Sequence, residues 1–519
     1  MWNYPVIRTL GDIARFHAKQ TPEKPAILCE GKATSFKTLD LDSNRIANAL
    51  LRADLPAEMP AGFIGKNSPF FTTLLFGAAK AGRTLLALNW RLSAREIGEI
   101  IGYAECRFLI ADQSMIELAR EACRHAGMDV EIVLAPVDVA SPDWDRFMDG
   151  CDDLDPQIAV PEDMTALLLF TSGTTGLPKG VELTHANFNF IRLTEHLDDG
   201  LPWEADDVYL MSMPNFHTAG TGLMLQSLYV GSTVVMLEAF EPKAVLKAIT
   251  DTRPTIILIV PSALQMLLDH PDAATVDFTC FKLVMYAGSP ISLPLIKRAM
   301  AEMKSQFVQW YGATETVGAM TLLRADQHDL EREESLKSCG TTVPLVDIEI
   351  VDEHGKEVPV GTVGEVMIRT PSLFKGYWRN PEATRAAQIN GWYKTGDAAY
   401  RDAAGFIYIV DRIKDMIISG GENVYSAEVE RALLQHPDVS EAAAIGMPDA
   451  KWGEAVTGII VLKEGKKVSE SDIISFCRDY LGGYKVPKSI IFTDALPRTP
   501  SGKVQKNLLR DKFRAEAAS

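Results

Sequence analysis

Short runs of aliphatic and β-branched residues alternate with longer amphipathic segments through roughly the first 400 residues of the chain. The runs TVVML (233–237), TIILIV (255–260) and LVMYAG (283–288) have the length and composition of buried strands. Between the first two, EPKAVLKAITDTRP (241–254) repeats apolar residues at intervals of three and four, which is typical of a helix with one buried face. The alternation predicts a layered α/β fold with largely parallel, buried strands.

The pattern changes between residues 340 and 410, where short strands alternate with turn residues. VDIEIVDEHGKEV, GEVMIRT and GFIYIVDR are typical of hairpins in a small β subdomain. Beyond residue 412 the predicted elements are short and mixed: a helix after Ser426, a strand at TGIIVLKEG and a helix at SDIISFCRDYL. We therefore expect a large N-terminal domain (1–411) of layered α/β subdomains plus the small β subdomain, and a small α+β C-terminal domain (412–519).

Composition narrows the class of protein. The 519 residues exceed the size of one hydrophobic core, and 47% of them are hydrophobic, as in ordinary globular proteins. The net charge of −17 repels nucleic acid phosphates, so we expect no nucleic acid partner. We find no signal peptide and no apolar run long enough to span a bilayer, and we expect a cytoplasmic protein without a transmembrane segment. Seven cysteines without a CxxC pair suggest neither a disulfide framework nor a zinc site.

The densest cluster of polar donors lies in LLLFTSGTTGLPKGVELTH (167–185), directly after a predicted strand. Loops at the carboxyl ends of such strands carry ligands in α/β proteins. Glycines let this loop turn tightly and expose N–H groups, while hydroxyls and a lysine add further donors, a set that suits polyphosphate oxygens. The predicted donors are Thr171, Ser172, Gly173, Thr174, Thr175, Gly176 and Lys179.

This loop differs from a P-loop in the position of its lysine. A P-loop lysine directly follows a glycine and is followed by a helix that opens at a Ser or Thr. Here Lys179 stands between Pro178 and Gly180, and the proline prevents an immediate α-helix. The sequence therefore predicts a phosphate loop of another kind.

TSGTTGLPKG resembles the signature loop of the adenylate-forming superfamily, which includes acyl-CoA synthetases, peptide-synthetase adenylation domains and firefly luciferase. Three further segments resemble motifs of that superfamily in the same order: WYGATET (310–316), GWYKTGD (391–397) with DRIKD (411–415), and PRTPSGKVQK (497–506). The resemblance covers nearly the whole chain. The protein is therefore identified as a member of this superfamily, similar to its AMP-dependent acyl-CoA synthetases.

The resemblance implies roles for residues of the adenosine and phosphate sites. The loop would surround the β- and γ-phosphates of ATP. Tyr311 would stack on adenine, with the backbone of Gly288 and Ser289 on the other face. Thr314 would bond the α-phosphate and Glu315 would ligate Mg²⁺. The residue types suit these roles, because an aromatic face suits a purine and a carboxylate beside a triphosphate suits a hard cation.

The C-terminal motifs imply a mobile domain that carries the catalytic charge. Asp397 and Arg412 would bind the ribose hydroxyls, Lys414 would be the hinge, and Lys503 would be the catalytic lysine. Catalysis would then depend on Lys503 together with Thr314 and Glu315. One position departs from the superfamily pattern, which usually has proline where Ser426 stands, and we expect this serine to N-cap the following helix.

The implied reaction has two halves. The carboxylate of an acid attacks the α-phosphorus of ATP in line, which gives acyl-adenylate and pyrophosphate. Lys503 would bridge the carboxylate and α-phosphate oxygens, while the loop and Mg²⁺ hold the leaving pyrophosphate. The C-terminal domain then rotates about its hinge, and the thiol of coenzyme A attacks the mixed anhydride.

The segment MPNFHTAGTG (213–222) resembles the aromatic motif that lines the acyl pocket of the superfamily. His217 stands where amino-acid-activating members carry an aspartate for the substrate ammonium, so amino acids are disfavoured. Small residues complete the predicted pocket: Ala219, Gly220, Gly312 and Gly318. Many long-chain and coumarate enzymes have glycine where Trp310 stands, and an indole facing the pocket would shorten or bend it. We expect an apolar substrate, either a medium- to long-chain fatty acid or an aromatic acid.

The sequence leaves several alternatives open. The acyl acceptor is coenzyme A or a separate acyl carrier protein, since LGGYK (481–485) lacks the serine that a fused pantetheine site requires. Oxygenation, as in luciferase, is not rejected by any motif, because the substrate adenylate carries that chemistry. A non-enzymatic scaffold is disfavoured, since every matched nucleotide position is filled. Whether the protein is a homodimer is also left open.

Overall fold

The computed structural model describes residues 3–53, 55–56, 58–136, 141–171, 178–419, 422–449, 451–498 and 503–518. The chain divides into two compact units. Unit 1 consists of Met1–Asp347 and Arg369–Tyr393, and unit 2 consists of Ile348–Ile368 and Lys394–Ser519. Within the described residues, no helix is both long enough and apolar enough to cross a lipid bilayer.

The α-helices among these residues, in chain order, are α1 (Leu10–Gln20), α2 (Phe36–Arg52), α3 (Pro69–Lys80), α4 (Ala94–Ala104), α5 (Ile116–His125), α6 (Pro142–Met148), α7 (His185–Leu197), α8 (Thr218–Val230), α9 (Pro242–Thr252), α10 (Pro261–Asp269), α11 (Leu293–Met303), α12 (Pro381–Ala387), α13 (Ser426–Leu433), α14 (Glu470–Cys477) and α15 (Lys506–Ala518).

The strands are β1 (Pro25–Cys29), β2 (Lys32–Ser35), β3 (Ala61–Ile64), β4 (Leu85–Leu88), β5 (Phe108–Ala111), β6 (Glu131–Leu134), β7 (Thr165–Thr171), β8 (Lys179–Thr184), β9 (Val208–Met211), β10 (Thr233–Met236), β11 (Ile256–Ile259), β12 (Leu283–Tyr286), β13 (Gln306–Tyr311), β14 (Thr321–Leu323), β15 (Thr341–Thr342), β16 (Asp347–Val351), β17 (Gly364–Arg369), β18 (Gly376–Tyr377), β19 (Gln388–Ile389), β20 (Trp392–Arg401), β21 (Ile407–Arg412), β22 (Ile417–Ser419), β23 (Glu422–Val424), β24 (Val439–Asp449), β25 (Gly453–Leu462) and β26 (Ser489–Phe492).

The larger sheet of unit 1 has the strand order β15-β14-β13-β12-β11-β9-β10-β1-β2 among the described residues. Its inner strands, from β13 to β1, run parallel, and antiparallel strands lie at the edges. The strands β10, β11 and β12 are buried along their whole length and coincide with the runs predicted from the sequence. The predicted α/β fold with parallel, buried strands is confirmed.

The second sheet of unit 1 has the order β18-β8-β7-β4-β3-β5-β6. Strand β7 pairs parallel to β4 and antiparallel to β8, which starts at Lys179. The chain therefore leaves the predicted phosphate loop as a strand and not as a helix. This agrees with the sequence argument against a P-loop, in which a helix directly follows the lysine.

Asn67, which follows β3, connects the two sheets of unit 1. Its side-chain N–H groups donate to the carbonyl oxygens of Met213 (2.9 Å) and Leu237 (3.0 Å), which follow β9 and β10. Its Oδ1 accepts from the backbone N–H of Asn215 (2.8 Å). One buried amide thus satisfies three backbone groups and holds loops of both sheets together.

Unit 2 contains most of a small sheet and a separate mixed layer. Strands β16, β17 and β20 are neighbours in the small sheet, and β21 pairs antiparallel with β20. A second sheet has the order β23-β22-β25-β24, with β26 parallel to β25. Two hydrophobic cores lie against this sheet, one containing Leu433 of α13 and one containing Phe513 of α15. The small β subdomain and the α+β elements that the sequence predicts are present, and the predicted boundary at residue 412 stays a prediction.

Candidate functional site

The predicted phosphate loop connects β7 to β8. Five of its predicted donors lie outside the described residues: Ser172, Gly173, Thr174, Thr175 and Gly176. Both ends of the loop are described, because Thr171 ends β7 and pairs with Lys179 at the start of β8. The ammonium of Lys179 lies 4.7 Å from the centre of the Tyr377 ring, a cation–π contact that holds the charge at the end of the hairpin.

Glu315 lies in a short 3-10 turn (Thr314–Thr316) directly after β13, and its side chain is buried. The hydroxyl of Tyr377 donates a 2.9 Å hydrogen bond to Glu315 Oε1, and the backbone N–H of Phe374 donates to the Glu315 carbonyl oxygen at 2.8 Å. Tyr377 belongs to β18, which pairs with β8. A single tyrosine thus connects the phosphate-loop hairpin with the predicted metal ligand.

Tyr377 is not predicted from the sequence. In FKGYW (374–378) it looks like any aromatic residue of a short strand, and no local pattern shows that its hydroxyl reaches a carboxylate. The contact arises because β18 is added to the edge of one sheet while Glu315 follows a strand of the other.

The predicted adenine residues share one edge of the larger sheet. Strands β12 and β13 are parallel neighbours, so the residues that follow them lie at the same edge. Tyr311 ends β13 and is half-buried, while Gly288 and Ser289 follow β12 and are exposed. Gly288 has φ +88°, a conformation that L-residues with a side chain rarely adopt, which gives a physical reason for glycine here.

A buried hydrogen-bonded pair, Tyr286 and His328, lies next to this edge. The Tyr286 hydroxyl lies 3.0 Å from Nε2 of His328, whose Nδ1 lies 2.8 Å from the carbonyl oxygen of Arg324. Burial lowers the pKa of His328 to about 4, so the imidazole is neutral at physiological pH. Nδ1 therefore donates to the carbonyl oxygen, and Nε2 accepts from the tyrosine.

The predicted acyl-pocket residues lie around the start of α8 and the end of β13. His217 precedes α8 and is half-buried, and its carbonyl oxygen accepts the N–H of Gly220 (3.0 Å). A Cβ on Gly220 would lie 2.1 Å from the carbonyl oxygen of Pro214, so only glycine fits there. Ala219, on the first turn of α8, is half-buried. The indole of Trp310 is buried, and its Nε1 has no hydrogen-bond partner in the part of the chain that the structure describes.

The other two predicted pocket glycines lie in close packing that leaves little room for a Cβ. A Cβ on Gly312 would lie 2.1 Å from the carbonyl oxygen of Gly318, and a Cβ on Gly318 would lie 2.6 Å from the side chain of Ile191. The close approach of these segments explains why both residues are glycine. Their role as pocket walls stays a prediction.

In unit 2, Asp397 and Arg412 lie directly opposite each other on β20 and β21. Nε of Arg412 lies 2.8 Å from Oδ1 of Asp397, and Nη1 donates to the carbonyl oxygen of Thr395 at 2.9 Å. The structure therefore brings together the two residues that the sequence assigns to the ribose. The predicted hinge residue Lys414 lies in the 3-10 turn that follows, where burial lowers its pKa.

Ser426 does not cap α13, and the expectation from the sequence is wrong. The helix begins at Ser426 itself, whose hydroxyl donates to Oδ2 of Asp411 at 2.6 Å. The same carboxylate oxygen accepts the N–H of Ala427 at 3.2 Å. The capping group is thus a carboxylate from β21, which only the tertiary structure brings to the helix start.

A cluster of aromatic and basic side chains in unit 2 was also missed. The ammonium groups of Lys451 and Lys488 lie 4.7 Å and 5.3 Å from the centre of the Trp452 ring. Burial, with the nearby charges of Arg478 and Lys451, lowers the pKa of Lys488. Lysines around an aromatic face suit a ligand that joins phosphates to a heterocycle. Only Lys451 and Trp452 are adjacent in sequence, so no local pattern predicts the cluster.

Comparison with known proteins shows which family the chain is similar to. The family model described as AMP-binding enzyme matches residues 14–378, and the model for the AMP-binding enzyme C-terminal domain matches residues 428–503. A fatty acid–[acyl-carrier-protein] ligase from Streptomyces coeruleorubidus is 36% identical, with 99% of this chain and 98% of that protein covered. A feruloyl-CoA synthase from an Amycolatopsis species is 34% identical, with coverage of 96% and 97%. The solved structure of o-succinylbenzoate CoA synthetase from Bacillus subtilis with its acyl-adenylate intermediate superimposes with a TM-score of 0.84 at 30% identity, covering 97% of each chain.

Proposed function

The chain belongs to the AMP-binding enzyme family, and on that basis we propose that it is an AMP-forming acyl-CoA synthetase that activates an apolar carboxylic acid through an acyl-adenylate. The observation that carries this proposal is the arrangement of Lys179, Tyr377 and Glu315, which brings a cation from one sheet and a carboxylate from the other to the same tyrosine. Such an arrangement suits a polyphosphate, because the ammonium can bind phosphate oxygens and the carboxylate can bind the metal counter-ion.

The nucleotide is proposed to bind along the edge where β12 and β13 end. Tyr311 offers a half-buried aromatic face for adenine, and Gly288 with Ser289 offers backbone for its other side. Thr171 and Lys179, at the two ends of the phosphate loop, would bind the leaving pyrophosphate. In unit 2, the Asp397 carboxylate would accept the ribose hydroxyls while Arg412 keeps it oriented.

Glu315 fits the binding of Mg²⁺. One of its oxygens accepts from Tyr377, and an ionised carboxylate has acceptor sites beyond that single bond. A hard cation that keeps several waters needs only one or two protein carboxylates beside substrate phosphates. Bound there, Mg²⁺ would neutralise charge on the phosphates, while Thr314, in the same turn, would donate to the α-phosphate.

Lys503 is proposed to supply the catalytic charge of the first half-reaction. The attack of a carboxylate on a phosphate brings two anions together, and an ammonium between them lowers that barrier without covalent chemistry. Lys503 is exposed, so its side chain can reach a ligand. In this proposal Lys414 is the hinge about which the C-terminal domain rotates after adenylation. The rotation lets the thiol reach the adenylate in the second half-reaction.

The acceptor is proposed to be coenzyme A. The cluster of Trp452, Lys451 and Lys488 joins an aromatic face to two positive charges, as the phosphorylated adenosine end of coenzyme A requires. The alternative is a carrier protein, since one relative is a fatty acid–[acyl-carrier-protein] ligase. A carrier protein presents its pantetheine without that nucleotide, so the cluster favours coenzyme A.

The acid is proposed to be apolar, either fatty or aromatic. The pocket would be formed by His217, Ala219 and Gly220 at the start of α8 with Trp310 at the end of β13, together with Gly312 and Gly318. Feruloyl-CoA synthase and a fatty acid ligase are both relatives, which agrees with these two classes of acid.

A panel of acids tests the proposal through pyrophosphate release and thioester formation. Purified protein, ATP and Mg²⁺ should release pyrophosphate with medium-chain or aromatic acids, and added coenzyme A should give the acyl-CoA. Thioester formation only with a holo-acyl carrier protein would establish the alternative. Absence of acid-dependent pyrophosphate release across the panel would refute the function.

A further inference from the structure

Two described residues that flank Lys503, Arg498 and Val504, are paired with each other. Arg498 and Val504 form an antiparallel β-bridge, and the N–H of Gln505 donates to the carbonyl oxygen of Pro497 at 2.8 Å. Helix α15 starts at the next residue, Lys506. The position of Lys503 therefore depends on how the start of α15 is held.

Three cations on one face of α15 hold this helix to the rest of unit 2. Lys506, Arg510 and Arg514 are spaced four residues apart, so they lie on the same face. Each pairs with a carboxylate of another element: Glu430 (2.7 Å), Asp415 (2.5 Å) and Glu454 (3.7 Å), respectively. The first of these pairs lies only three residues beyond Lys503.

Lys506 is the most buried of the three cations. The side chains of Lys506 and Glu430 are 12% and 20% exposed. Glu430 also accepts the N–H of Ala444 at 2.9 Å, so its carboxylate is held by α13 and by β24. A largely buried ammonium must keep its partners, because a buried charge left unpaired is strongly destabilising.

Lys506 has a second partner that connects it to the ribose segment. Its ammonium donates to the Ser426 hydroxyl at 2.5 Å, and that hydroxyl donates onward to Oδ2 of Asp411 at 2.6 Å. Oδ1 of Asp411 accepts the backbone N–H of Arg412 at 2.8 Å. A continuous chain of hydrogen bonds thus runs from the start of α15 to the arginine proposed to act at the ribose.

We propose that Lys506 is a positioning residue for adenylation. Through Glu430, Ser426 and Asp411 it holds the start of α15, and thereby the backbone of the nearby Lys503, in place. The inference rests on the proposed function, in which Lys503 is the catalytic lysine. Lys506 itself touches no substrate in this proposal. It acts by fixing the backbone position from which the Lys503 side chain extends.

The test measures the two half-reactions of the full chain separately. Pyrophosphate release without thiol reports adenylation, and acyl-CoA formation from preformed acyl-adenylate reports thioesterification. Lys506→Met should lower the adenylation kcat by about tenfold to a hundredfold, because small displacements of a catalytic group cost that much. Thioesterification should be retained. Lys506→Arg keeps the charge and should recover most of the rate, and Lys512→Met, an exposed lysine of the same helix, should change neither.

A second variant keeps the inference testable if Lys506→Met fails to fold. Ser426→Ala retains the Lys506–Glu430 pair and removes only the link to Asp411, so adenylation should fall in the same direction by a smaller factor. Adding it to Lys506→Met should cause no further loss, because both changes act through one chain of contacts. Unchanged adenylation in both variants, or equal loss of both half-reactions, would overturn the inference.

Lys503→Ala, made in parallel, separates the two proposals. If Lys503→Ala leaves adenylation intact, the catalytic role in the proposed function is wrong and this inference is wrong with it. If Lys503→Ala abolishes adenylation while Lys506→Met and Ser426→Ala do not impair it, only the positioning role is wrong.

Discussion

The hydroxyl of Tyr377 donates a 2.9 Å hydrogen bond to Oε1 of Glu315, while the ring of the same tyrosine lies beneath the ammonium of Lys179. Tyr377 belongs to the edge strand β18 of one sheet, and Glu315 follows β13 of the other. The carboxylate is therefore oriented by a residue that is 62 positions away in the chain.

Tyr377→Phe removes this hydrogen bond and leaves the ring in place. A bond to a charged group is worth about 1.5–3 kcal/mol, so adenylation should fall at least about tenfold. The Mg²⁺ concentration for half-maximal rate should rise, because Glu315 loses its orientation. Pyrophosphate release at varied Mg²⁺ measures both effects. Tyr480→Phe, an exposed tyrosine, is the control, and an unchanged Mg²⁺ dependence in Tyr377→Phe would contradict the prediction.

Lys503→Ala should abolish adenylation and spare thioesterification from preformed acyl-adenylate. The physical reason is that the ammonium neutralises charge only while the carboxylate attacks the α-phosphate. Single-turnover assays of each half-reaction measure the difference. Equal loss of both half-reactions would show that Lys503 does not have this role.

Trp310→Gly should shift the preference toward longer acids if the indole bounds the acyl pocket. The indole is buried, so the change also costs roughly 3–5 kcal/mol of stability. Relative kcat/KM values across a series of chain lengths measure the shift independently of how much enzyme is folded. Trp144→Ala, a buried tryptophan in α6, controls for destabilisation and should leave the profile unchanged.

Lys488→Met should raise the KM for coenzyme A and leave adenylation unaffected. A loss of about 1 kcal/mol from one phosphate contact corresponds to roughly a fivefold change. Initial rates at varied coenzyme A, with pyrophosphate release as the separate readout, test this. Lys467→Met, an exposed lysine of unit 2, serves as the matched control. An unaltered KM would argue against coenzyme A at this cluster.

Stability should fall as the pH drops from 6.5 toward 4. Burial lowers the pKa of both His185 and His328 to about 4, below the ordinary value of 6.5. Between these values each histidine is protonated in the unfolded chain and neutral in the native protein. Each histidine therefore lowers the free energy of unfolding by about 1.4 kcal/mol per pH unit as the pH falls. The stability is complete above pH 6.5 and is lost as the pH approaches 4.

Urea denaturation between pH 7 and 5 measures this slope. His328→Asn should lower stability overall, because Tyr286 loses its partner, and should flatten the pH dependence. The remaining slope should reflect His185. His354→Asn, at an exposed histidine, should leave the slope as it is. A wild-type slope in His328→Asn would contradict the assignment.

Much of the fold could be predicted because its signals are local. The runs that became β10, β11 and β12 are fully buried, and a strand buried on both faces must be continuously apolar. The failure of the P-loop pattern was equally local, since Lys179 follows Pro178 and not a glycine, and the chain continues there as a strand.

The site was predictable only where its residues form contiguous motifs. The glycine-rich loop, WYGATET and DRIKD can be recognised because each proposed ligand contact comes from neighbours in the chain. Tyr377 and the Lys488 side of the Trp452 cluster lie far from the residues they contact, so no segment carries the signal. The wrong cap at Ser426 has the same origin, since local capping rules cannot include a carboxylate from another strand.

The layered α/β class, the family and the motif residues could be inferred from the sequence, because hydrophobic periodicity and short motifs depend on neighbouring positions. How those residues are supported depends on contacts that form only in the folded chain. Glu315 is oriented by Tyr377, α13 is capped by Asp411, and Lys506 is held by Glu430 and Ser426. Each of these contacts satisfies a buried polar group with a partner distant in the chain, and burial of that kind exists only once the elements have packed.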